Sequence, residues 1–212
     1  MDRRRFTLRL TVAAAAASLP MATRAQGAPV EGRDYARLAT PLPMPATGKV
    51  EVVEFFGYWC PHCNSFEPTL DAWVRKLPAD VAFHRVPVAF SAPQEPYAKI
   101  FFTLEAMGLL EQMHRKVFAA IHVQHQHLEK ESEILAFMTA NGVDAAKFNE
   151  TYKSFTVASK FKQARQLADA YRIDGVPTLG IQGRFFTSPS LAGGAEQALR
   201  VTDQLIQRAR QG

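Results

Sequence analysis

The sequence predicts an α/β fold interrupted by a block of helices. Three observations carry that reading. A buried-type apolar run at 48–56 leads into Cys60-Pro61-His62-Cys63, a helical stretch and a second apolar run at 81–90, which is a β-α-β pattern. The next eighty or so residues have helical periodicity throughout. The chain then returns to two short strand-like runs and a final helix, a β-β-α pattern.

Residues 1–25 read as a secretory signal peptide rather than as part of the fold. Arg3, Arg4 and Arg5 form a positive start, an Ala-rich apolar run follows, and Thr23-Arg24-Ala25 offers a small-residue cleavage site. Arg3-Arg4-Arg5-Phe6 also hints at a twin-arginine export signal, with the Sec route equally open. The apolar run is too short to span a bilayer. This segment explains the charge. The whole chain carries 25 Lys+Arg against 20 Asp+Glu. The first 25 residues hold five arginines and one aspartate, which leaves 20 against 19, a net charge of +1. The basic character therefore offers no support for nucleic-acid binding, which needs a basic face on the folded domain.

Residues 26–32 are a Gly/Pro/Ala-rich leader. The run 48–56 alternates poorly and is almost wholly apolar, as a strand buried on both faces should be. Pro61 fits the first turn of the following helix, where its missing N–H costs nothing. Phe66, Leu70, Trp73, Val74 and Leu77 form the apolar stripe of that helix, Pro68 should kink it, and Leu77-Pro78-Ala79-Asp80 ends it. Two strands joined by one helix are expected to be parallel with a right-handed crossover. Helices are expected at 96–106, 109–123, 131–140 and 145–171, with breaks at Met107-Gly108 and Asn141-Gly142. Strands at 178–182 and 184–186 flank the turn signal Gln182-Gly183, and 195–210 reads as the last helix. In domain terms this gives a first α/β part at 26–93, a helical insertion at 94–172 and a second α/β part at 173–212.

Cys60 and Cys63 are the only two cysteines. A bridge between them closes almost no loop and removes little entropy from the unfolded chain. Its value lies in opening and closing. Two cysteines are half a structural zinc site, and no second C-x-x-C exists to complete one. Disulfide exchange needs a thiolate, and a free thiol is mostly protonated at neutral pH. At a helix start, unpaired N–H groups and the helix dipole favour negative charge on Cys60. His62 adds a donor or a positive charge against the same sulfur. Stabilising the reduced thiolate alone makes the disulfide easier to reduce, so the protein should act as an oxidant. Cys60 is expected to be the exposed sulfur that forms mixed disulfides, and Cys63 the deeper, resolving thiol.

Glu54-Phe55-Phe56 ahead of Cys60-Pro61-His62-Cys63, the helical insertion and Gly175-Val176-Pro177-Thr178 together resemble the DsbA family of exported disulfide oxidoreductases, a thioredoxin-like fold with an inserted all-helical subdomain. The resemblance runs from about Tyr35 to the end of the chain. It implies a thiol:disulfide oxidoreductase that gives its Cys60–Cys63 disulfide to cysteine pairs of newly exported proteins, a periplasmic location, a monomer, and reoxidation by a DsbB-type quinone reductase in the inner membrane. It implies no cofactor beyond the dithiol and no bound metal. Glu54, an acid in an apolar strand, should have a raised pKa. By resemblance it is the proton acceptor or donor beneath Cys63; otherwise it is an exposed edge residue. His84 and Arg85 are its possible partners, neither clearly placed. Val176-Pro177 resembles the cis-proline loop that lies against the C-x-x-C and offers backbone groups to a bound peptide. Val176 matches the oxidase type.

Tyr58, Trp59, Phe90 and Phe185 are candidates for an apolar substrate surface near the sulfur, with Trp59 the most exposed and core packing the plainer role for the others. His122, His125 and His127 invite a metal, but no carboxylate or cysteine stands at ligand spacing, so a solvated helix end is expected. Two other functions fit the same chain. One is an isomerase or reductant on the same fold, although isomerases usually carry a separate dimerisation domain. The other is a chaperone that uses the apolar groove and keeps its cysteines incidentally.

Overall fold

The computed structural model describes residues 27–211. The signal-peptide reading at 1–25 lies outside them. Strand β1 (Ala36–Arg37) is followed by β2 (Val50–Phe56), α1 (Pro61–Val74) and β3 (Val81–Pro87). Then come α2 (Glu95–Ala106), α3 (Leu110–His122), α4 (Glu131–Ala140), α5 (Ala145–Tyr152) and α6 (Phe155–Tyr171). The chain closes with β4 (Thr178–Ile181), β5 (Phe185–Thr187), α7 (Pro189–Ala192) and α8 (Ala195–Arg210).

One five-stranded sheet runs in the order β1-β5-β4-β2-β3. Every residue of β2 is buried, as its unbroken apolar run requires of a central strand. β2 pairs in parallel with β3, from Val50 opposite Val81 to Phe56 opposite Pro87, and antiparallel with β4, from Val52 opposite Ile181 to Phe55 opposite Thr178. The two halves of the α/β pattern thus meet along β2.

Side-chain alternation along β2 feeds different cores. Val50 and Val52 join Phe66 and Leu70 of α1 and Leu199, Leu205 and Ile206 of α8. Val53 and Phe55 face Ala168 and Tyr171 of α6. Phe56 at the strand's end enters the core of the helical block, and Tyr58, Cys60 and Cys63 follow it there. The redox motif is therefore walled on one side by the insertion.

Several boundaries differ from the sequence expectation. The expected helix over 145–171 is two helices. Lys153 ends α5, and Ser154 starts α6 by accepting a hydrogen bond from the Val157 N–H. The second strand stops at Pro87 rather than Phe90, because β2 ends opposite it at Phe56. One further bond, Val88 N–H to Phe56 O at 2.7 Å, carries the chain away. Two short elements, β1 and α7, had no periodic signal. Ser188-Pro189 starts α7 through a Ser188 side-chain cap on Leu191 N. The Gln182-Gly183 turn is as expected, with φ of 51° and 60°, and a Cβ at Gly183 would stand 2.8 Å from the Leu42 carbonyl oxygen. Among the described residues, no helix is long and apolar enough to cross a membrane.

Gly180 sets how closely α6 lies on the sheet. A Cβ there would stand 2.6 Å from a Tyr171 ring carbon and 3.2 Å from the Phe55 ring. Gly180→Ala is expected to destabilise the fold by ~1–3 kcal/mol through overpacking. Urea unfolding should give a lower midpoint with an unchanged slope. A wild-type midpoint would show that this contact yields freely.

Candidate active site

Cys60 occupies the N-cap of α1, with φ −88° and ψ 116°. Its sulfur accepts a hydrogen bond from the Cys63 N–H at 3.4 Å, so the helix start is closed by the thiol itself. Its thiol donates to the Val176 carbonyl oxygen, also at 3.4 Å. The Val176–Pro177 bond is cis, as the sequence resemblance implied. Both cysteines are free thiols. The Cys60 thiol is brought down from its ordinary value of 9.0 to about 6. The largest cause is the Cys63 thiol donating to the Cys60 sulfur, with the Cys63 and His62 backbone N–H groups and the His62 imidazole adding to it, all against the opposing cost of burial.

One expectation is corrected here. Cys60 is only 3% exposed, not an open sulfur, because the Val176 loop covers it. Pro61 and His62, one and two residues on, are exposed. Cys63 is fully buried. Burial above all, then the Cys60 sulfur and the Glu54 charge, push the Cys63 thiol far up. Two sulfurs one helical turn apart thus have opposite acidities.

Glu54 is fully buried at the centre of β2, which removes the exposed-edge alternative. Its register partner is Arg85 on β3, whose Nε donates to Glu54 Oε2 at 3.1 Å. Arg85 Nη2 also donates to Glu67 Oε2 at 3.1 Å and to Asp71 Oδ1 at 2.8 Å, both on α1. The period of a strand settles the choice that the sequence left open. Arg85 points to the α1 side, while His84 on the other face pairs with Glu51 at 2.9 Å. Three carboxylates around one guanidinium leave Glu54 short of positive charge. Burial, then repulsion from Glu67, raise it from 4.5 to about 8, with Arg85 acting in the opposite direction.

A groove of about 320 Å³ opens beside the motif, lined by His62, Phe66, Val176, Pro177 and Pro189 among others. Of the four aromatics considered for an apolar surface, none lines this groove, and two, Trp59 and Phe90, reach solvent. Trp59 is half-buried, its Nε1 donates to Val88 O at 3.2 Å, and its ring meets the exposed Phe90 edge-on at 5.9 Å. Tyr58 and Phe185 do not belong to the surface. Tyr58 is a core residue of the helical block, and Phe185 packs against Tyr35 on the α8 side of the sheet. The histidine run does not converge on a metal. His122 Nε2 lies 2.7 Å from Tyr58 O, and no group of three candidate ligands occurs among the described residues.

The sequence reading missed Glu67, Asp71 and His114. Glu67 stands four residues after Cys63 on the same buried face of α1, a spacing that was legible. His114 carried no local signal.

Two titrations follow. Alkylation of Cys60 by iodoacetamide should rise with a midpoint near pH 6, and His62→Ser should move that midpoint up. An unchanged midpoint in His62→Ser would remove the imidazole from the account. The second concerns Glu54, which binds its proton more tightly folded than unfolded. The stability it contributes is full below about 4.5 and lost as pH rises through about 8. Glu54→Gln should therefore be more stable than wild type at pH 8 by roughly 1–3 kcal/mol, the gain vanishing by about pH 4. A gain that does not depend on pH would contradict this.

Comparison with known proteins agrees with this geometry. A family model described as a DSBA-like thioredoxin domain matches residues 51–199. The thiol:disulfide interchange protein DsbA of Pseudomonas aeruginosa is 42% identical over 179 residues, 84% of this chain and 85% of that one. DsbA of Bordetella pertussis is 40% identical over 213 residues, 99% of this chain and all of its own. The crystal structure of Pseudomonas aeruginosa DsbA superposes with a TM-score of 0.81, at 42% identity, over 84% of this chain and 93% of that one. That of the oxidoreductase DsbA from Xylella fastidiosa gives 0.81 at 33% identity over 88% of this chain. The dithiol at a helix start, the thioredoxin-like sheet and its helical insertion, and these matches make the chain a member of the DsbA family, a thiol:disulfide oxidoreductase that introduces disulfides into exported proteins.

Proposed function

We propose that Cys60 is the sulfur that meets substrate, Cys63 the leaving and resolving thiol, and Glu54 the group that exchanges a proton with Cys63. A substrate thiolate attacks Cys60 of the Cys60–Cys63 disulfide, forming a mixed disulfide, and Cys63 leaves with the electron pair. A second substrate thiol then displaces Cys60 as a thiolate. The substrate pair loses two electrons and closes its bond, while the protein is left as the dithiol.

The observation that carries this reading is the split in acidity, Cys60 at about 6 and Cys63 driven far up. Cys60 leaves readily because its thiolate is stabilised, and the buried Cys63 must take a proton as it departs. Glu54, protonated up to about pH 8, is a donor near enough that its charge, once the proton is lost, raises the Cys63 thiol. Pro61 opens the helix, and His62 supports the thiolate. Val176 and Pro177 hold an extended peptide beside the sulfur, and Trp59 with Phe90 extends the apolar surface. The dithiol is the whole redox centre.

The kinship supports a periplasmic location, a monomeric state and reoxidation by a DsbB-type quinone reductase as parts of this reading. Residues 1–25 would be the export signal, with thioredoxin-like parts at 26–93 and 173–212 around the insertion at 94–172. The reduction potential of the Cys60–Cys63 pair against glutathione tests the oxidase direction. It should lie well above thioredoxin's roughly −270 mV. A thioredoxin-like value would make the protein a reductant. Cys60→Ser should abolish dithiol oxidation, and any activity that survives it would belong to a chaperone.

A further inference from the structure

The acid cluster beneath Cys63 does not end at Glu67. His114 enters it from α3, the first contribution of the insertion to that cluster. Its Nδ1 lies 2.7 Å from the Tyr58 hydroxyl and its Nε2 lies 3.2 Å from Glu67 Oε1, an ion-pair distance without hydrogen-bond alignment. Glu67 Oε2 is held by Arg85, and Arg85 holds Glu54. A continuous chain of charged and polar contacts thus joins His114 to Glu54.

The setting is unusual for an imidazole. The ring is buried and meets Phe56, Tyr58, Phe101 and Phe118 at centroid distances of 5.2 to 6.2 Å. An aromatic cage of this kind would take a phenylalanine at no desolvation cost. A histidine here instead points one nitrogen at a phenol and the other at a carboxylate. The charged or titratable groups that face it are Glu67 of α1 and Tyr58 of the segment after β2. Behind them stand Glu54 of β2, Arg85 of β3 and Asp71 of α1, and Arg115, its neighbour on α3, reaches Asp71 at 3.1 Å.

We propose that His114 is a positioning residue of the redox centre, whose hold on Glu67, passed through Arg85, sets the proton affinity of Glu54. With Nε2 of the ring beside Glu67 Oε1, Glu67 has a partner besides Arg85, which leaves the guanidinium better placed to serve Glu54. Without the ring, Glu67 draws on Arg85 alone, Glu54 loses part of its counter-charge, and its proton is held more tightly. The helical insertion would thereby tune the chemistry at the C-x-x-C, which rests on the assignment of Glu54 to Cys63 made above.

The test reads Glu54 directly, by the pH titration of its side-chain carboxyl carbon in isotope-labelled protein. His114→Phe should raise the proton affinity of Glu54 by about threefold or more. His114→Gln keeps an N–H donor towards Glu67 and should restore most of the wild-type affinity. A Glu54 curve superimposable on wild type in folded His114→Phe would overturn the proposal and leave His114 a core residue. A His114→Gln curve displaced as far as that of His114→Phe would overturn the role of the contact with Glu67. If Glu54 moves while the pH slope of the Cys60–Cys63 potential does not, the coupling stands and the link from Glu54 to Cys63 fails.

Discussion

The Cys60 sulfur caps helix α1, and much of the site follows from that single placement. A cap is normally a hydroxyl or carboxylate oxygen that satisfies an orphan N–H. Here a thiol takes the position, and the bond it accepts from Cys63 N is worth more to a thiolate than to a thiol. The same turn puts Cys63 one step deeper, where burial acts in the opposite direction. The helix start thereby makes two chemically identical residues unlike each other. No cofactor is needed for that difference, only a helix end and a gradient of burial.

The cost falls on the residues beneath. Beneath the redox pair lies Glu54, fully buried beside one guanidinium shared by three carboxylates, the group we propose as the proton route to Cys63. Replacing such groups by apolar ones often stabilises a fold, so their presence is poor evidence of a stabilising role. In the function proposed above, the cluster is instead an arrangement in which small changes of charge move a proton. The contact with His114 extends that arrangement into the insertion, whose core already includes Phe56, Tyr58 and both cysteines. The helical block and the sheet are one packed unit at the place where the chemistry occurs.

Much of this was legible from residue order. The apolar run ending at Phe56, the motif at the helix start and the Gln182-Gly183 turn each rest on local rules, and the structure agrees with them. The misses were of two kinds. The break at Lys153-Ser154 interrupts a run whose composition stays helical on both sides, so only the Ser154 cap distinguishes it. Tyr58 and Phe185 take the core role that was the plainer reading for them, but which core each joins was not legible, because hydrophobicity does not say which face of the sheet a residue joins. The exposed sulfur expected at Cys60 failed for a similar reason, since the loop that covers it lies more than a hundred residues away in sequence.

The sequence by itself determined most of the elements, the position of the dithiol and the direction of the Cys60 acidity, because these depend on neighbours within a few residues of each other. Only the tertiary structure decided which cation serves Glu54, which wall buries Cys63 and what His114 touches. Those answers depend on register between β2 and β3 and on how α3 lies against α1. Choosing between His84 and Arg85 required the face each presents, a property of pairing along the sheet. Long-range contacts of this kind leave no periodic trace in the chain, and so the charge network beneath the cysteines became visible only once the strands and helices were in place.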